Sequence, residues 1–386
     1  MLRLVSLVLF ALFSAVALAQ DRPLLLGLSL AQTGQLGDIG QAYRRGLYLW
    51  LDEVNARGGV LGRRVELRVR DDRSDATIVG GLYEKLLDED KADLLLGPAG
   101  SAATVPAMAV AEARRRVIVN GSGVDNAVLK RGNRWAFHVP AAQQDQGDAI
   151  WPMLRAAGAV RPALIDRDDT GIGKRLREQA ELAGLALLRP SEDEAVDPAA
   201  LVAFARRQRV DALVLAAGSG TAAELVKAMK KSGYAPRLFI ATGAAQPGFA
   251  RAIGQDAEYT VAVLPYSPAQ RTAGNAAFVA AFRAKYDALP DFYAACGYAA
   301  GKLAEAGLRE AGTLEPDRLR EAFARVKIES PLGVHEAGKD NAQAGARPVL
   351  MQYQLGRREV VWPEAAATAK LVVPYPDWAG RKLLGR

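Results

Sequence analysis

The sequence predicts an α/β protein of two lobes, each built on a parallel sheet flanked by helices. Three observations predict it. Short apolar runs alternate with helix-length amphipathic stretches from Pro23 onward. The alternation restarts after Pro140 and runs to about residue 263, where long helices resume. Polar Gly-rich loops recur where strands end, which is where such sheets bind ligands. The 386 residues, 50% hydrophobic and 24% charged, suffice for roughly two domains with a sizeable core.

Residues 1–19 stand apart from that pattern. Arg3 is their only charge, Leu4 to Leu18 is almost wholly apolar, and Ala17-Leu18-Ala19 is a small-x-small cleavage site before Gln20. This is expected to be a secretory signal peptide cut after Ala19, since a membrane anchor needs about 20 apolar residues. Gln20, not a cysteine, stands directly after the site and Leu4 follows Arg3, so neither a lipid anchor nor a twin-arginine signal is expected. The mature protein is expected to be soluble and periplasmic. Cys296 is the only cysteine, which excludes an intramolecular disulfide. The net charge of +7 comes from scattered basic residues, such as Arg63-Arg64, Arg114 to Arg116 and Arg206-Arg207, without interleaved aromatics. That distribution argues against nucleic acid as a partner.

Pro23 to Ala31 reads as a strand and Gln32 to Gly37 as its polar loop, with Leu36 a candidate ligand contact. Asp38 to Asn55 reads as a helix, with Ala42, Gly46, Leu49, Trp50 and Val54 as its apolar face and Gly58-Gly59 as its stop. Val65 to Val69 alternates with Glu66, Arg68 and Arg70, the pattern of a strand near a sheet edge. Asp71-Asp72 and Asp75 close it and cap a helix from Ala76 to Leu87. Leu94 to Leu96 is apolar on both faces, the mark of a buried strand. Gly97, Pro98 and Gly100 then force a turn, Ser101 or Thr104 is placed to cap the next helix, and Pro106 fits its first turn. A helix opening here, with Ser101 and Ala102 at its start, presents free N–H groups and a positive dipole end to a carboxylate or another anion. An ordinary strand-to-helix turn with a capping serine is the alternative. A strand at Val117 to Val119 and a loop from Asn120 to Asp125 follow.

The second run reads as helix 143–157, strand 163–166, helix 173–183, strand 185–188, helix 199–209, strand 212–216, helix 221–232 and strand 238–241. Tyr259 to Leu264 is a further strand, and helices at 271–286, 292–311 and 316–324 precede β-like segments at 349–355 and 359–361. Pro363, Pro374 and Pro376 make 363–386 a tail without regular elements.

Catalytic signatures are missing. Gly171-Ile172-Gly173 opens like a dinucleotide fingerprint, but Leu176 stands where the third glycine belongs. Neither a phosphate-binding Gly-x-x-x-x-Gly-Lys-Ser/Thr loop nor a Gly-x-Ser-x-Gly elbow occurs. His138 and His335 are far apart in sequence, each without a second ligand at metal spacing, and His138 reads as a strand residue. Cys296 reads as a small core residue; Phe292, Tyr293 and Tyr298 read as packing, with Tyr293 within reach of a cleft. No catalysis, cofactor or metal is expected.

Asp52-Glu53-Val54-Asn55-Ala56-Arg57-Gly58-Gly59-Val60-Leu61-Gly62-Arg63-Arg64-Val65-Glu66, Asp71-Asp72-Arg73-Ser74-Asp75-Ala76, the turn Gly97 to Ala107, Leu129-Lys130-Arg131-Gly132 and Gly171-Ile172-Gly173 resemble, in this order, the type I periplasmic solute-binding proteins of the Leu/Ile/Val-binding family. The resemblance covers about residues 22–362. It implies two Rossmann-like lobes that close on a ligand about a multi-crossing hinge: 20–139 plus 264–331, and 140–263 plus 332–362, with 363–386 as the tail. It also implies a monomeric binding component of an ABC importer, with a small polar or anionic solute and an inner-membrane permease as partners and no stable membrane insertion. A sensor of the same fold that signals to a separate partner is the alternative.

The resemblance places Ser101 at the serine that holds a ligand carboxylate. Asn120 to Val124 falls on the second carboxylate and ammonium loop, with Val124 in place of a threonine and Ser122 standing in for it. Thr170 falls at an aromatic position of the second lobe and Ser219 near a tyrosine position. Thr242 lies beside Gly243, where the family's ammonium-binding acid is missing. Thr170, Ser219 and Thr242 are thus expected to complete the ligand cage, and the loss of the acid argues for a carboxylate-only or neutral ligand. Asp166, Asp168 and Asp169 read either as replacements for that acid, holding a cationic or metal-bearing ligand, or as helix-capping acids on a solvated loop. Val373-Pro374-Tyr375-Pro376-Asp377-Trp378 resembles a branch of the family associated with pyrroloquinoline-quinone-dependent alcohol oxidation.

Overall fold

The computed structural model describes residues 22–129, 132–141, 145–167, 171–338, 341, 343–345 and 347–379. The expected signal peptide and Asp168, Asp169 and Thr170 lie outside them. In chain order the elements are β1 (Leu24–Leu30), α1 (Gly37–Ala56), β2 (Val65–Asp71), α2 (Ala76–Asp88), β3 (Leu94–Leu96), α3 (Ser101–Ala113), β4 (Ile118–Asn120), α4 (Asn126–Leu129), β5 (Ala136–His138), α5 (Gly147–Ala156), β6 (Pro162–Arg167), α6 (Ile172–Leu182), α7 (Glu192–Val196), α8 (Pro198–Arg207), β7 (Ala212–Ala217), α9 (Ser219–Ser232), β8 (Leu238–Ala241), α10 (Pro247–Ile253), β9 (Val261–Leu264), α11 (Asn275–Tyr286), α12 (Phe292–Ala311), α13 (Pro316–Phe323), β10 (Lys327–Ser330), β11 (Gly333–Glu336), β12 (Val349–Gln354) and β13 (Arg357–Trp362). None of the described helices is long and apolar enough to cross a membrane.

Two compact units divide the chain: Met1–Pro140 with Val279–Gly345, and Ala141–Phe278 with Ala346–Arg386. In the first, five parallel strands run in the order β2-β1-β3-β4-β5, with β2 at an edge, as its alternating sequence predicts. The apolar strands β3, β4 and β5 are buried throughout. Helices α1 and α12 pack closely because glycine faces backbone in both directions: a Cβ on Gly46 would strike the carbonyl of Ala294, and one on Gly297 the carbonyl of Tyr43. Cys296 lies in this seam, fully buried.

The second unit holds a six-stranded sheet in the order β13-β12-β9-β8-β7-β6. Strands β6 to β9 are parallel, while β12 and β13 add an antiparallel edge. All six residues of β7 are buried: Ala212, Val214 and Ala216 face one apolar cluster, and Leu213, Leu215 and Ala217 the other. Helices on both faces explain why this strand reads as a continuous apolar run.

Several expectations need correction. Leu185 to Leu188 forms only a single bridge, Leu188 to Ala163, because the ladder does not continue beyond it. The mostly exposed hairpin β10–β11 has no counterpart in the sequence pattern, since its polar residues carry no apolar run. It belongs to the first unit, as does Gln343, which donates to the carbonyl of Val139, so the expected border at residue 332 is displaced. Residues 264–278 join the second unit, where Leu264 pairs with Val349 and Arg271 donates to the carbonyl of Ala366. Residues 363–379 of the tail are a packed strap, which opens on a 3-10 turn at Glu364–Ala366 where no regular element was expected. Gln352 exchanges two hydrogen bonds with Val372, Tyr375 is buried edge-on to Phe239, and the Trp378 indole N–H donates to the Tyr234 carbonyl at 2.8 Å.

Candidate functional site

In the first unit the loops after β1, β3 and β4 surround the start of α3. Each is fixed by its own chemistry. Asp71 accepts from the amides of Gln32, Thr33 and Arg73 and from the Thr33 hydroxyl. Burial alone would push this carboxyl up, but those bonds hold it below its usual range. Ser74 receives the Leu36 amide, which sets Leu36 at the foot of the loop, its side chain facing Gly100.

Gly100 adopts φ 84°, a conformation that glycine tolerates, and α3 starts directly after it with no side-chain cap. Ser101 is therefore the first helical residue and caps nothing. Its Oγ accepts the amides of Val124 and Asp125, each at 3.2 Å. Thr104 also does not cap: its hydroxyl donates to the carbonyl of Gly100 one turn back. Pro106 is the sixth helical residue, beyond the first turn, because the helix opens at Ser101 rather than later. With two amides on its lone pairs, the Ser101 hydroxyl has only its proton left to offer, and nothing among the described residues accepts it. Beside it stand the unpaired N–H groups of the first helical turn, which include that of the exposed Ala102. This donor array suits an anionic head group.

Ser122 is almost fully buried; its Oγ donates to the Pro98 carbonyl and accepts the Gly100 amide. It thus braces the β3–α3 turn from behind instead of presenting a hydroxyl to a ligand. Val124 is half-buried, held through its amide. Asp125, at the end of this loop, is half-buried next to Ser101, to whose Oγ its amide donates. On α12, burial pushes the Tyr293 hydroxyl up, with smaller contributions from Cys296, Asp291 and Asp125. The Gly-rich loop Asn120 to Asp125 is the visible signal in the sequence for this part of the site.

In the second unit Ser219 opens α9 and Thr242 follows β8. The Thr242 hydroxyl is engaged with both the amide and the carbonyl of Ala217, tying β7 to the turn after β8. Gly243 lets that turn press against Ala217 and Ser219, where any side chain would collide with backbone. Asp166 lies over Gly173 at the start of α6 and pairs with Arg177 at 3.1 Å. Among the described residues no three His, Cys, Asp or Glu side chains gather as a metal site.

A family model described as "Periplasmic binding protein" matches residues 23–357. The Leu/Ile/Val-binding protein homolog 8 of Brucella abortus is 27% identical over 370 residues, covering 88% of this chain and 90% of that protein. An ABC transporter substrate-binding protein from Desulfitobacterium hafniense in complex with Leu superposes with a TM-score of 0.70 at 20% identity, covering 88% of this chain and all of that one. An ABC transporter solute binding protein from R. palustris in complex with benzoate does so with a TM-score of 0.63 at 21% identity, covering 95% of this chain and all of that one. At such identities the likeness to the solved structures is one of fold; the family match, spanning most of the sequence, carries the assignment, and the chain belongs to the periplasmic binding protein family.

Proposed function

We propose that this protein captures a small solute with a carboxylate or similar polar head group in the periplasm, after cleavage behind Ala19, and presents it to an inner-membrane ABC permease. The observation that carries this reading is the Ser101 hydroxyl, loaded as an acceptor by two backbone amides and left with one donor at the open end of α3. The similar proteins support it: two of them hold leucine and benzoate, whose shared group is a carboxylate. Ser219 is the second unit's candidate contact.

A thermal-shift screen over a panel of carboxylates, with L-leucine and benzoate included, tests the reading. A true ligand stabilises by RT ln(1 + [L]/Kd), about 2.7 kcal/mol at a hundredfold excess over Kd. Ser101→Ala then weakens binding by roughly 10- to 100-fold, the worth of one hydrogen bond to a charged group. The reading fails if no carboxylate stabilises the protein, or if Ser101→Ala binds the stabilising one as well as the wild type does.

A further inference from the structure

Asn120 closes β4 and is fully buried, at the root of the loop that carries Val124 and Asp125. Its Oδ1 accepts the amides of Ser122 at 3.2 Å and Gly123 at 2.8 Å. Those two donors fix which way the amide points. The Nδ2 group must then be the donor on the other side, giving one hydrogen to the Gly123 carbonyl at 2.8 Å and one to His138 Nδ1 at 2.9 Å. His138 Nδ1 is therefore an acceptor without a proton, and the ring carries its hydrogen on Nε2.

This chain of bonds has no slack. A proton on His138 Nδ1 faces the Asn120 NH2 group, so two donors meet. Turning the Asn120 amide over relieves that clash but aims its NH2 at the amides of Ser122 and Gly123. Either outcome breaks the loop that holds Ser101 through Val124 and Asp125.

We propose that His138 is a positioning residue for the solute site: as an obligate acceptor it locks the Asn120 amide, and its protonation releases the loop that positions Ser101. The inference rests on the solute-binding reading of Ser101, but the bond geometry itself does not.

The neighbours support it. His138 is almost fully buried, and burial, with the like charge of His335, lowers it to about 4. His335 on β11 is the other titratable group that acts on it; burial lowers His335 to about 4 as well, against the opposing pull of the His138 backbone and of Glu336. The imidazole is thereby kept neutral until the medium is acidic.

The test needs no ligand. In the mature chain, amide resonances of Ser122 and Gly123 and the Asn120 side-chain NH2 are followed by NMR on acidification, together with the His138 ring. In the wild type all of them are expected to titrate with one midpoint, well below that of a free histidine. In His138→Gln, whose amide oxygen keeps an acceptor but cannot take up a proton, those loop resonances are expected to hold still over the same range while the fold remains. Loop resonances that stay fixed as the wild-type ring titrates, or that shift equally in His138→Gln, overturn the proposal. So does a ring found protonated at Nδ1 near neutral pH. Failure of every carboxylate to bind would instead count against the solute-binding reading, leaving the bond network standing.

Discussion

Gly46 on α1 lies directly beneath the carbonyl oxygen of Ala294 on α12, with no room between them for a methyl group. A side chain here forces two helix backbones apart. Gly46→Ala is expected to destabilise the protein by about 3 kcal/mol, the upper range for overpacking a core. Gly81, exposed on α2 with open space around its would-be Cβ, is the control. Gly81→Ala is expected to stabilise by about 0.5–1 kcal/mol, from helix propensity alone. Urea unfolding of the two variants measures both signs.

Ser101 does structural work before any solute arrives. Ser101→Ala strands the amides of Val124 and Asp125, both half-buried, and is expected to cost about 1–3 kcal/mol without ligand. Ser101→Thr keeps the oxygen and is expected to lose much less. Ser219, whose hydroxyl makes no such bond among the described residues, is expected to change by under about 0.5 kcal/mol on replacement by Ala. Chemical denaturation of the unliganded proteins separates the three.

Acid is expected to weaken the fold through the two histidines. Each is ordinarily half-protonated at 6.5 and is lowered to about 4 in the folded chain. Between those values the unfolded chain holds more protons than the folded one, so stability rises with pH there. The contribution is complete above about pH 6.5 and is lost as the pH falls towards 4, by at most about 3 kcal/mol per histidine. Unfolding midpoints followed over that window check it: His138→Gln is expected to flatten part of the slope, and an unchanged slope refutes the assignment.

The strap of residues 363–379 is expected to be part of the second unit's core. Tyr375 is 3% exposed, with Phe239 and Trp378 against its ring at centroid distances of 6.5 and 6.4 Å. Tyr375→Ala is expected to cost about 3–5 kcal/mol, as for other large aromatic truncations. Thermal unfolding of that variant near the wild-type midpoint would show that the strap is only laid on the surface.

What the sequence announced and what it hid follow from range. Leu94 to Leu96 and Ala212 to Ala216 are apolar on every residue, so their burial on two faces could be read directly, and the Val65 to Val69 alternation marked its edge. The Ser101 position was legible because Gly97, Pro98 and Gly100 punctuate the chain just before it. Its bonds to Val124 and Asp125 were not, since they depend on two loops more than 20 residues apart meeting in space. The same holds for Ser122, whose hydroxyl looks available until Pro98 and Gly100 close over it. The β10–β11 hairpin stayed hidden because a mostly exposed ribbon needs no hydrophobic period. Tyr375 and Trp378 were masked by prolines, which signal the end of helices and strands but not the end of packing.

The route of the chain has a consequence for how it is made. All five strands of the first sheet are laid down by His138, yet the helix that mates with Gly46 through Ala294 and Gly297 begins only at Phe292. A polypeptide emerging from the ribosome therefore carries an unfinished apolar seam through the synthesis of residues 139–291. Until Phe292 is made, the apolar face around Gly46 lacks its native cover, the kind of transiently exposed surface on which aggregation begins.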